Sequence, residues 1–79
     1  MNKINKLIVN IDAIDKVKEF CNLCLKCAEE VSVYSGRYIV SGKSIMGLFS
    51  LDLSKPVEVE FYGDIPDEIK EDMKKFIVG

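Results

Sequence analysis

The sequence contains no histidine. That single absence removes the imidazole general base, the histidine metal ligand, the Ser-His and Cys-His nucleophile pairs, and any phosphohistidine. A positive charge excess is missing as well. Lys plus Arg number 11 against 13 Asp plus Glu, for a net charge of −2, so no basic field exists to hold a nucleic-acid backbone and direct nucleic-acid binding is not expected. No apolar run approaches the ~20 residues that a membrane helix needs. The opening MNKINKLIVNIDAIDK also lacks the apolar core and small-residue cleavage site of a secretory signal. Cysteine is scarce and odd in number, at three, which suits reduced thiols in a cytoplasmic protein better than a disulfide framework.

What remains describes one small globular domain, residues 1–79, with 48% hydrophobic and 30% charged residues. A chain this short buries only about 60–65% of its unfolded surface, which leaves little room for an elaborate buried active site.

Local patterns predict the element order β-α-β-β-α-β-α. Lys3 to Val9 reads as a first strand. Asp12-Ala13-Ile14-Asp15 reads as a helix start, with Asp12 as N-cap and Asp15 at N3 in a looser capping box. Ile14, Val17, Cys21, Cys24, Leu25 and Ala28 then share one face, and the helix is expected to end near Glu29. Val31–Tyr34 and Tyr38–Val40, joined through Ser35-Gly36-Arg37, predict a hairpin. Ser44, ahead of Ile45-Met46-Gly47-Leu48-Phe49-Ser50-Leu51, predicts an N-cap on a short helix. Val57, Val59 and Phe61 alternate with Glu58, Glu60 and Tyr62, the pattern of a half-buried strand. Pro66 is expected inside the first turn of a last helix that carries Ile69, Met73, Phe76 and Ile77 inward. The fold class is α+β, with a mostly antiparallel four-stranded sheet covered by three helices on one face.

Cys21, Cys24 and Cys27 form C-x-x-C-x-x-C. Three ligands fall short of a four-coordinate site, and on a regular helix the thiols fan over about 120° rather than converge. Core packing is therefore expected and no metal or cofactor is assigned, with Cys27, at the edge of the face, the thiol most open to reaction. Asp12 and Asp15 have no histidine or phosphate-binding loop beside them and read as helix-start carboxylates.

The element order, together with Lys43-Ser44-Ile45-Met46-Gly47-Leu48, resembles the HPr phosphocarrier family of the bacterial sugar phosphotransferase system, most strongly from about Tyr34 to Phe61. The resemblance implies an HPr-like open-faced β-sandwich. In that family a His-Ala-Arg-Pro run opens the first helix, and the histidine carries the phosphoryl group. Here the matching stretch is Asp12-Ala13-Ile14-Asp15, with Asp12 where the histidine stands and Ile14 where the arginine stands. A carrier lacking both cannot perform that transfer.

The family's second site does match. The resemblance implies that Ser44 corresponds to the serine that an ATP-dependent HPr kinase phosphorylates, producing a corepressor for a catabolite-control regulator. Within the short helix, Leu48 and Leu51 can supply the buried face, which leaves Ile45, Met46 and Phe49 free to form an exposed patch. Ile14 would enlarge that patch, and Lys43 stands beside Ser44. The expected function is a non-enzymatic regulatory or adaptor protein that binds partner proteins through Ile14, Lys43, Ile45, Met46 and Phe49, with Ser44 as its switch. The alternatives are a phosphocarrier-type component of sugar transport and a degenerate domain that self-associates.

Overall fold

In the computed structural model, which describes residues 4–78, period-two alternation and period-3.6 stripes sort the chain into one sheet and one helical layer. The strands are β1 (Ile4–Val9), β2 (Val31–Ser35), β3 (Tyr38–Ser41) and β4 (Val57–Tyr62); the helices are α1 (Ile14–Leu25), α2 (Ile45–Phe49) and α3 (Asp67–Met73), followed by a 3-10 turn at Lys74–Phe76. Lys3, expected to begin the first strand, lies outside the described residues.

The sheet is antiparallel throughout, in the order β1-β4-β2-β3. Val57, Val59 and Phe61 of β4 point into the core while Glu58 faces solvent, as their alternation requires. β2 and β3 are joined by the two residues Gly36 and Arg37. Gly36 has φ of 58° and Arg37 does not share the positive sign, the pattern of a type II′ turn, which matches the right-handed twist of the flanking strands.

The core runs between the sheet and the helices. Val17, Phe20, Cys21, Leu23 and Cys24 of α1 meet Val9, Val33, Val59, Leu48, Ile69, Met73 and Phe76. Phe20 and Phe76 pack edge to face with ring centroids 6.1 Å apart, a favoured aromatic geometry.

Several local expectations are corrected. The N-cap of α1 is Ala13, with extended backbone and no side-chain capping bond. Asp12 instead forms an ion pair with Lys16 at 3.1 Å, and Asp15 lies in the first turn. The helix ends at Leu25 rather than near Glu29, since the N–H groups of Lys26 and Cys27 already turn back to Leu23 and Cys24. Its buried stripe is also rotated. Ile14, Leu25 and Ala28 are exposed, and Phe20 and Leu23 take the inward places. Pro66 occupies the N-cap position of α3 rather than its first turn. Ile77 lies beyond the 3-10 turn and bridges to Val9, while Val78 N–H donates to Ile8 O and Asn10 N–H to Phe76 O. Residues 76–78 therefore lie along the outer side of the end of β1.

All three cysteines are free and buried, which matches the expectation of core packing. Cys27 does not stand out as the open one: it is 6% exposed, close to Cys21 at 4%, and lies past the end of α1 with its Sγ near Leu23 O. Burial pushes all three thiols upward, most of all Cys24. Because the thiolate is the nucleophile, native protein should react with a disulfide reagent at pH 7–8 far more slowly than unfolded protein. The same shift fixes the sign of an alkaline effect. Above the ordinary thiol value of 9.0 the unfolded chain loses protons that the folded chain keeps, so stability should fall as pH rises from about 9. Urea titrations at pH 7, 9 and 10.5 would show the midpoint moving down.

Candidate functional site

Ser44 leaves β3 with extended backbone, and its Oγ accepts the Gly47 N–H at 3.1 Å, so the hydroxyl caps α2 as expected. The residue is exposed. Behind it, Leu48 and Leu51 are buried and anchor the helix, while Met46 is 79% exposed and Phe49 44%. Ile45 is half-buried against the core. The division expected within this short helix holds, apart from the partial burial of Ile45.

α1 packs against α2, and between them runs a groove of about 350 Å³ lined by Lys18, Cys21, Asn22, Leu25, Lys43 and Ile45. Ile14 lies one turn before Lys18 on the same side of α1, so Ile14, Lys18, Asn22 and Leu25 make one surface stripe. Ile14 is 64% exposed and Leu25 57%, far above what a core stripe tolerates. Apolar surface on both helices thus remains uncovered along this groove, with Lys18 and Lys43 as its cations.

Lys43 is less free than its neighbour's exposure implies. Its Nζ donates to Cys27 O at 2.8 Å, satisfying a carbonyl just past the end of α1 where a cation is also favoured by the helix dipole. It ties the base of α2 to α1. Asp12, expected to match the HPr histidine, is not brought into the groove. Its carboxylate is held by Lys16, which lies on the opposite side of α1 from Lys18.

Lys18, Asn22 and Leu25 are groove residues that sequence reasoning missed, because it gave the first two no role and placed the third in the core. The i, i+4, i+8, i+11 run from Ile14 carries the signal, and it becomes visible only once the buried stripe is known to centre on Phe20 and Cys24.

Chemically, the surface offers a hydroxyl rather than a catalytic pair. The thiols are buried and held protonated, Asp12 is paired at the surface, and no cluster of three metal-ligating side chains exists among the described residues. None of the helices in the described residues is long and apolar enough to cross a membrane.

No protein-family model matches the chain, and no curated protein matches it either. Solved structures do. The crystal structure of HPr-C-His from Thermoanaerobacter tengcongensis aligns with a TM-score of 0.72 and 22% identity, covering 95% of this chain and 90% of that one. The phosphocarrier protein HPr from Bacillus anthracis aligns with a TM-score of 0.73 and 16% identity, covering 98% of each chain. The α+β architecture of this chain is the HPr-like fold.

Proposed function

We propose that this chain is a regulatory or adaptor protein related to the sugar phosphotransferase system, without catalytic activity of its own, which docks partner proteins on the α1–α2 face and is switched by phosphorylation of Ser44. The observation that carries this reading is an exposed, helix-capping serine set in a surface of exposed Ile14, Leu25, Met46 and Phe49, on a fold shared with phosphocarrier HPr. The absence of histidine removes the carrier reaction and leaves this face as the feature that can still act. Its partners in this reading are an HPr-type serine kinase and a catabolite-control regulator.

Transfer of the γ-phosphoryl group of ATP to Ser44 Oγ releases ADP and the hydroxyl proton. It adds roughly −1.5 to −2 charges beside Met46 and the groove. A partner that buries the apolar patch without cations would then have to desolvate that charge, whereas one presenting arginine gains bidentate bonds to it. The same surface therefore selects different partners in its two states.

The test is intact mass after incubation with a bacterial HPr kinase and ATP, with HPr as the positive control. One added phosphate is expected on the parent chain and none on Ser44→Ala. Losing the cap in Ser44→Ala costs about 1 kcal/mol, so Ser44→Asn, which retains a capping oxygen, serves as the folded control and should also stay unmodified. An unmodified parent beside labelled HPr would overturn the switch.

A further inference from the structure

The two edges of the sheet are treated differently. At β1, the outward carbonyl of Ile8 accepts Val78 N–H, Asn10 N–H donates to Phe76 O, and Ile77 bridges to Val9. Residues 76–78 thus cover the end of β1 at Ile8–Asn10, and its remaining length carries the exposed charge of Lys6. β3 forms the other edge, and among the described residues no segment bonds along it in this way.

Which groups β3 leaves open follows from its register. Gly42 N–H donates to Val31 O, so the pairs Val33↔Val40 and Ser35↔Tyr38 are the hydrogen-bonded ones, while Tyr34↔Ile39 and Ser32↔Ser41 are not. The peptide groups of Ile39 and Ser41 thus point away from β2. Ser41 O is taken by Ser44 N–H. Among the described residues, the N–H and C=O of Ile39 and the N–H of Ser41 have no backbone partner. The strand carries Tyr38 at 71% and Ile39 at 62% exposure, and its four residues include no charge, no proline and no glycine. Charged residues and proline are among the devices that blunt natural edges, as is shortness of the strand, the only one of these that four-residue β3 has.

We infer that β3 is a pairing edge at which two copies of this chain join antiparallel about Ile39, making one continuous eight-stranded sheet. A second copy fits because the open groups are self-complementary. Centred on Ile39, the N–H and C=O of one protomer meet the C=O and N–H of its partner across a two-fold axis. The same register sets Tyr38 opposite Val40 of the partner subunit, an aromatic–β-branched pair, and Arg37 opposite Ser41 of the partner subunit. No like charges face each other. Four-residue strands cover far less surface than a standard interface, so the association is weak, with a Kd on the order of 0.1 mM. The pairing does not depend on the α1–α2 docking surface or on Ser44.

Sedimentation velocity across a concentration series, together with amide exchange by NMR, tests it. Mass should rise from one chain to two, and at about 1 mM the Ile39 and Ser41 amides should exchange roughly fivefold more slowly than at high dilution. Ile39→Pro removes the outward N–H without touching the ladder to β2 and should be monomeric. Ile39→Lys, which adds a charge and leaves the backbone intact, should behave alike and decides the matter if the proline variant misfolds. A chain that stays monomeric near 1 mM with unchanged exchange overturns the proposal. So does a dimer that survives Ile39→Lys, or one whose concentration-dependent shifts fall on Met46 and Phe49 instead of β3.

Discussion

Replacing Phe20 with alanine is expected to leave little folded protein at 37 °C. Phe20 is wholly buried, and its ring meets Phe76 edge to face at 6.1 Å. Truncating a buried phenylalanine costs about 3–5 kcal/mol through lost transfer energy and the cavity left behind. A chain of 79 residues has a total stability of only about 4–12 kcal/mol. The loss has a specific route. Phe76 sits in the 3-10 turn whose carbonyl accepts Asn10 N–H, and the next two residues pair with β1. Removing the partner ring should therefore loosen the C-terminal strap before the sheet opens. In urea the midpoint should drop while the slope is retained, and the Asn10 and Val78 amides should lose protection beyond the global change. Phe20→Leu, which keeps most of the volume, should lose much less, chiefly the aromatic pairing of about 0.5–1.5 kcal/mol. Equal losses from both substitutions would show that volume is not what Phe20 supplies.

The second large effect is expected at Gly42. Its backbone is pinned by the 2.8 Å bond from its N–H to Val31 O. A Cβ there would fall 2.8 Å from Cγ1 of Val31 and 3.0 Å from Sγ of Cys24. Neither neighbour can give way: Cys24 is 0% exposed and Val31 2%. Overpacking of this kind costs about 1–3 kcal/mol for Gly42→Ala, and Gly42→Val should lie at or beyond the upper end. The consequence reaches the candidate site, because the following two residues are Lys43, bonded to Cys27 O, and Ser44, the cap of α2. Thermal melts should show the larger loss for valine, and amide shifts should move at Lys43, Ser44 and Gly47. Gly36 offers the contrast. Nothing lies within 4 Å of a Cβ placed there, so Gly36→Ala should cost only the strain of its positive φ, about 1 kcal/mol.

Local pattern carries a good deal of this protein. The alternation from Val57 to Tyr62, the turn at Gly36, the cap at Ser44 and the apolar character of Cys21 and Cys24 are properties of neighbours along the chain, and each is legible without tertiary contacts. The helix α1 shows where that reading stops. Its apolar residues are spread so widely that two overlapping stripes fit the period, one through Ile14, Cys21 and Leu25, the other through Phe20 and Cys24. Their centres lie about 100° apart around the helix. Which stripe turns inward depends on Phe76 and the sheet, residues distant in sequence, and the choice of the Phe20 side is what leaves Ile14 and Leu25 in the open.

The same division runs through the ends of elements and the site. Asp12 has the chemistry of an N-cap, but a carboxylate can bond a lysine ammonium one turn later instead of the backbone, and here it does. The ammonium of Lys43 could face solvent beside Ser44, yet an unpaired carbonyl past the end of α1 draws it inward. By itself the sequence determined the order of elements, the capping serine and the absence of any imidazole, because these follow from composition and near-neighbour spacing. Only the tertiary structure decided which helix face became surface, where the groove lies, and that residues 76–78 cover the end of β1 while no described segment bonds along β3 in this way. Those outcomes depend on backbone groups and side chains brought together from positions far apart in the chain.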